Sequence, residues 1–294
     1  MQKYLPYFAM VVVNLIYALN FSIAKEVTPH AIAPDALVVL RVAVCWLVVW
    51  FLGFFEDRPA VKKTDFLRFF AVALVSAVAM AAYIQGIGEV APINGAIIYT
   101  FGPIFVVLIS YFVFKEKLPA SKWIGIILGF LGALALVLFG AKFAGKTYGT
   151  LRGDVLMFVG TTTHGLYLIL VRPLTQKYTS LQILKVYFGL ATLMLLPLGY
   201  KDLLLIDWAS FSLQTWFALA YIIFAATLFT FFTNNYTVKH VGSSVTALFI
   251  FTQPLFAALY AQLMGKDEMN TFKLLCGATI CLGLYLVTRQ KNTF

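Results

Sequence analysis

Apolar residues fill this chain in stretches of about twenty, each closed by a short polar or charged connection. A helix that crosses a bilayer needs ~20 mostly apolar residues. That length predicts about ten spans, at residues 5–27, 36–55, 66–88, 93–114, 121–140, 153–171, 181–199, 213–235, 243–264 and 271–288. The predicted class is an all-α integral membrane protein, because a helix satisfies its backbone hydrogen-bonding groups within its own segment. A β-barrel would alternate apolar and polar positions in segments of about ten residues, whereas the runs here are continuous. The connections are too short to hold a soluble domain.

One stretch organises the rest. Residues 81–118, AAYIQGIGEVAPINGAIIYTFGPIFVVLISYFVFKEKL, read as two apolar helices joined by a tight Gly/Pro turn, with Pro103 inside the second. A similar stretch returns about 150 residues later, at 233–269, TNNYTVKHVGSSVTALFIFTQPLFAALYAQLMGKDEM. Shifting the second part of the chain back onto the first puts Pro254 on Pro103, Phe256 on Phe105, Ala247 on Ala96, Leu259 on Leu108, Lys266 on Lys115, Lys273 on Lys122 and Gly283 on Gly132. A slightly different shift puts Arg172 on Lys25 and Tyr167 on Asn20. So long a period exceeds a solenoid unit and indicates a duplicated half. The expected halves are residues 1–140 and 151–294, meeting in a Gly-rich loop. Each holds about five spans, and an odd number reverses the side of entry, which makes an inverted repeat.

Composition identifies the solvent. The chain is 62% hydrophobic and only 12% charged, against roughly 25% charged in a soluble domain, so most of its surface is expected to face lipid. The net charge of +10 raises nucleic acid as a partner, but the basic residues sit between apolar runs and form no basic helix face or RNA-binding motif. With the N-terminus inside, Lys and Arg favour the inner side by roughly two to one, which predicts N-in and C-in. Nothing resembles a cleaved signal, and the run after Lys3 is long enough to remain as a span. Cys45, Cys276 and Cys281 lie in apolar runs without disulfide or zinc spacing.

Chemistry is sparse. Residues 140–147, GAKFAGKT, fit the P-loop pattern, but that motif works between a strand and a helix of a nucleotide-binding domain. Here it follows an apolar span. No metalloprotease, serine-hydrolase or clustered acid constellation is present, so neither an enzyme nor a cofactor is expected. Every Asp and Glu falls at or near a predicted helix end, which argues against coupling through a mid-membrane carboxylate.

The polar groups within the spans carry the functional reading. Asn14, Tyr17 and Asn20 punctuate the first; Tyr83 and Gln85 the third; Tyr99 and Thr100 the fourth. Thr161, Thr162, Thr163, His164 and Tyr167 occupy the sixth, Thr227, Thr230 and Asn234 one face of the eighth, and Thr252 and Gln253 precede Pro254 in the ninth. Polar side chains at this depth avoid lipid and point inward. Singly they serve as interhelical glue worth ~0.6 kcal/mol; together, from both halves, they indicate a central cavity. Histidine is the side chain that ordinarily titrates near neutrality, and His164 reads either as a structural histidine or as a substrate contact or proton carrier. Arg41 reads either as a side chain snorkelling to the interface or as a ligand for an anionic group or a helix C-terminus. Lys185 reads as snorkelling. Pro103 and Pro254 are expected to kink their helices around the centre. Gly125, Gly129 and Gly132, partly repeated by Gly277, Cys281 and Gly283, form small-residue faces that suit packing within the monomer or a homodimer seam.

On these residues the chain resembles the drug/metabolite transporter superfamily, specifically the ten-helix EamA-type permeases, over nearly its whole length. NLIYALNFSIAK, with Tyr17, Ala18, Asn20 and Phe21, is similar to the family's first-helix W-G-x-N-F segment. Arg41 matches a second-helix arginine, Pro103 and Glu116 a mid-helix proline and the acid ending the fourth helix, and Pro254 with Asp267 or Glu268 their second-half counterparts. Gly125 and Gly132 match fifth-helix glycines, and His164 stands where the family often has Trp. The resemblance implies a multi-pass inner (plasma) membrane permease exporting small, amino-acid-like or amphipathic metabolites by alternating access. Helices one, three, four, six, eight and nine would line its cavity. The alternatives are a nucleotide-sugar or lipid-linked carrier, which needs more cations in the cavity, and a non-transporting membrane scaffold. The expected substrate contacts are Asn14, Tyr17, Asn20, Tyr83, Gln85, Tyr99, His164, Tyr167, Thr230, Asn234 and Gln253.

Overall fold

A computed structural model describes residues 4–56, 61–90, 92–115, 118–139, 150–263 and 270–289. Glu116, Asp267, Glu268 and the 140–147 stretch lie outside the described residues. Twelve α-helices run in chain order: α1 Leu5–Val27, α2 Pro34–Leu52, α3 Phe66–Glu89, α4 Pro92–Phe114, α5 Ala120–Phe139, α6 Leu151–Thr175, α7 Ser180–Leu204, α8 Leu213–Ala220, α9 Thr230–Val241, α10 Ser243–Leu248, α11 Gln253–Leu263 and α12 Thr271–Arg289. The π-helical segment Tyr221–Phe229 joins α8 to α9, and the 3-10 segment Phe249–Thr252 joins α10 to α11. Those joints reduce twelve helices to ten rods. Nine of the rods are long and apolar enough, among the described residues, to cross a membrane, and α1, at 23 residues, is the tenth apolar rod.

Local chemistry fixes several starts. Thr150 accepts a hydrogen bond from the Gly153 amide and caps α6. Thr179 and Gln182 form a reciprocal capping box on α7, satisfying two of the amides that a helix start leaves unpaired. Ser212 caps α8 through the Thr215 amide. Where no cap is present, Pro stands in the first turn of α1 and α2, a position that would lack an amide partner in any case.

The helices pack in pairs across the two halves: α3 along α6, α2 along α7, α5 along α12, and α1 against α9. Glycines set the closeness. A methyl group at Gly125 would lie 2.6 Å from the Gly283 carbonyl, and one at Gly283 would lie 2.6 Å from the Gly125 carbonyl. The two small-residue faces are thus buried against each other inside one chain. The α3–α6 pair is tied at both ends. At one, Lys177 Nζ meets Asp65 Oδ1 at 2.9 Å and the Tyr178 hydroxyl donates to Asp65 Oδ2 at 2.8 Å. At the other, Arg152 pairs with Glu89, whose backbone carbonyl accepts from the Thr150 amide at 3.0 Å. Large apolar side chains such as Leu67, Phe112, Leu193 and Leu274 face outward, the disposition expected of a surface whose solvent is lipid.

The prolines differ from one another. Pro103 is buried within a continuous α4, and next to it a methyl at Gly102 would come within 2.7 Å of Thr161 on α6. Pro254 instead stands in the first turn of α11, after the 3-10 segment. It begins a fresh helix, where its missing amide costs no intrahelical bond, and the break precedes it.

Candidate functional site

A cavity of about 60 Å³ lies between the helices, lined by Tyr17, Asn20, Arg41, Ser76, Ala79, Met80, Tyr83, Tyr99, Gly160, His164, Ala226 and Phe231. Helical spacing explains the lining. On α3, Ser76, Ala79, Met80 and Tyr83 follow the i, i+3, i+4, i+7 stripe that shares one helix face; on α6, Gly160 and His164 stand one turn apart. Small residues admit the space, since Gly160 lies flush against Tyr83: a methyl there would meet the Tyr83 amide nitrogen at 3.0 Å.

Aromatic rings form the walls. His164 meets Tyr17 edge-on with centroids 6.3 Å apart, stacks on Tyr167 at 6.0 Å and meets Phe231 edge-on at 6.5 Å. Tyr83 and Tyr99 lie 6.0 Å apart. Polar contacts join the halves around this centre. Asn234 Nδ2 donates to the Tyr17 hydroxyl at 3.1 Å and Gln253 Nε2 donates to Asn14 Oδ1 at 2.8 Å. Within the second half, the Tyr167 hydroxyl donates to Asn235 Oδ1 at 2.7 Å. Asn20 is buried, and its Oδ1 meets no hydrogen-bond donor among the described residues.

The residues expected from the sequence therefore divide. Tyr17, Asn20, Tyr83, Tyr99 and His164 line the cavity together. Asn14, Asn234 and Gln253 stand just behind it in the cross-half hydrogen bonds. Thr230 donates to the Ala226 and Thr227 carbonyls along its own rod, and Tyr167 is fully buried. Gln85 is elsewhere: its Nε2 donates to Asp35 Oδ1 at 2.6 Å, at the start of α2. It stands two positions after Tyr83, about 200° around a helix, so both cannot face one cavity.

Arg41 is the addition. It is 6% exposed, so it does not snorkel. Nε donates to Thr227 Oγ1 at 2.8 Å and Nη2 reaches the Ala226 carbonyl at 3.5 Å, both on the π segment. Thr227 Oγ1 in turn donates to the Ile222 carbonyl at 2.7 Å, and Cys45 Sγ reaches the Ile223 carbonyl at 3.4 Å. A π segment shifts the regular hydrogen-bond ladder, as π-bulges at functional sites do; here α2 side chains engage its carbonyls. The sequence signal for Arg41 was its charge within an apolar run. Phe231 carried none, being one aromatic among many.

A family model described as EamA-like transporter family matches twice, at residues 5–138 and 151–289. A Bacillus subtilis (strain 168) protein described as uncharacterized transporter YyaM is 22% identical over 204 residues, 69% of this chain and 67% of its own. An Archaeoglobus fulgidus protein described as an uncharacterized transporter is 22% identical over 273 residues, 88% of this chain and 90% of its own. A solved crystal structure superimposes with a TM-score of 0.76 at 15% identity, over 98% of this chain and 96% of that one, a likeness of fold alone.

Proposed function

From the premise that the chain belongs to the EamA-like transporter family, and is a multi-pass membrane transporter rather than an enzyme, we propose that it is an inner-membrane permease exporting a small metabolite by alternating access. One observation carries this reading: residues from α1–α4 and from α6, the π segment and α9 converge on a single cavity. The pairing of helices supports two inverted five-helix repeats, residues 1–140 and 151–294. If α1–α5 correspond to the first through fifth rods of the second half, α2–α7 and α5–α12 each join equivalent elements, and α3–α6 has its mate in the packing of α1 against the α8–α9 rod. Binding pockets for small ligands hold ~300–1,000 Å³, so a 60 Å³ cavity would have to widen to admit cargo.

Tyr17, Asn20, Tyr83, Tyr99 and His164 are proposed as the cargo contacts, with Asn14, Asn234 and Gln253 positioning them. The test is flux of a metabolite panel into and out of proteoliposomes, with and without a pH gradient. Alanine at Tyr17, Asn20, Tyr99 and His164 should each lower flux while the protein remains folded by thermal unfolding. Undiminished flux in all four would remove the cavity from the mechanism, and no flux of any metabolite by the wild type would favour the scaffold. The nucleotide-sugar reading is disfavoured because Arg41 is the one cationic side chain among the cavity-lining residues. Lys185 lies instead beside Gly53, at the end of α2.

A further inference from the structure

We propose that Arg41 is a carboxylate-binding subsite, so that the cargo is a small organic monoanion with an aromatic or apolar body. The inference rests on the permease reading and names its substrate class.

Arg41 stands seven residues from Pro34, about 10 Å along α2. A cation at such depth is costly and normally finds a partner or lines a wet path. Among the described residues no carboxylate pairs with it. The ionisable groups around it are Cys45, Tyr17, Tyr187 and Tyr83, a thiol and three phenols, which are uncharged at neutral pH. Its two hydrogen bonds, to a hydroxyl and a carbonyl, orient the guanidinium without neutralising it. A guanidinium carries five N–H groups, so the Nη1 hydrogens and one Nη2 hydrogen remain for a ligand, the fork that a carboxylate fills bidentately.

Charge counting selects the ligand. One positive charge in a water-poor site is matched by one negative charge; a phosphate dianion or diphosphate would bring uncompensated charge, which is expensive to bury. Besides Arg41, the polar side chains Asn20 and Ser76 line the cavity, while Tyr17, Tyr83, Tyr99, Phe231, Met80 and His164 supply a wall suited to an apolar body.

The experiment measures thermal unfolding of the purified full-length protein against acetate, benzoate, 3-phenylpropionate, 3-phenylpropionamide, 3-phenylpropylamine, chloride and phosphate. Benzoate and 3-phenylpropionate should stabilise the wild type with an apparent affinity at least ~10-fold above that of the amide and the amine, the ratio that 1.4 kcal/mol provides. Arg41→Lys should lose ~10-fold, since an ammonium cannot make the fork, and Arg41→Gln should lose the acid-over-amide preference. If Arg41→Gln does not fold, Arg41→Lys and the wild-type panel decide the matter. Equal stabilisation by acid and amide, stabilisation by chloride or phosphate only, or no stabilisation by any carboxylate would overturn the proposal. Flux separates the two readings. Carboxylate binding without flux of any panel member removes the permease and leaves the subsite; flux of uncharged metabolites, undiminished in Arg41→Lys, does the reverse.

Discussion

Tyr17 makes two contacts that reach into the other half of the chain: its hydroxyl accepts from Asn234 and its ring meets the edge of His164. Removing the hydroxyl keeps the ring. Tyr17→Phe should therefore cost only ~1 kcal/mol of stability while weakening cargo binding more than it weakens the fold. Comparing the thermal unfolding midpoint with the concentration dependence of flux checks that split. His164 is packed by rings on three sides and shares the cavity with no carboxylate to relay a proton. We therefore assign it to the wall. His164→Gln should raise the cargo concentration needed for half-maximal flux and leave the pH dependence of uptake unchanged. Loss of that pH dependence would make it a proton carrier instead.

Among the elements, regular helices were legible and their irregular joints were not. A run of twenty apolar residues has one comfortable structure in lipid, and so the expected span at 5–27 coincides with α1. The sixth to eighth spans continue a turn or more past the expected ends, as α6 does to Thr175, because interfacial residues are too polar to score as membrane yet still cap and extend helices. The π segment Tyr221–Phe229 left no trace in YIIFAATLF, which reads as plain helix. Arg41 and Cys45 hydrogen-bond to it, contacts that only packing brings together. Gln85 meets Asp35 rather than the cavity for a related reason: polarity marks depth in the membrane, but only the rotation of α3 decides which neighbour a residue meets. The glycine faces of α5 and α12 offer an element-scale test. Gly125→Ala places a methyl 2.6 Å from a backbone oxygen, and overpacking of that kind costs ~1–3 kcal/mol. The unfolding midpoint should fall. Gly88→Ala, where a methyl would meet nothing within 4 Å, should leave it nearly unchanged.

For the whole molecule, the two ends of the α3–α6 pair define the axis along which access would alternate. One end holds Asp65 with Lys177 and Tyr178, and nearby Arg172 lies 4.4 Å over the Phe114 ring; Lys62 and Lys63 adjoin this end. The other holds Glu89 with Arg152. Positive charge is denser at the first end, and cytoplasmic loops carry the excess of Lys and Arg, so the first end is proposed to face the cytoplasm. The N-terminus and the C-terminus would then both lie inside, and the halves would enter from opposite sides. Labelling decides it. In a variant with Cys45, Cys276 and Cys281 replaced, Lys201→Cys, exposed in the last turn of α7, should react with a membrane-impermeant maleimide in intact cells. Lys62→Cys should react only after permeabilisation. The reversed pattern would turn the molecule over, placing the Asp65 end outside while leaving every contact around the cavity as it is.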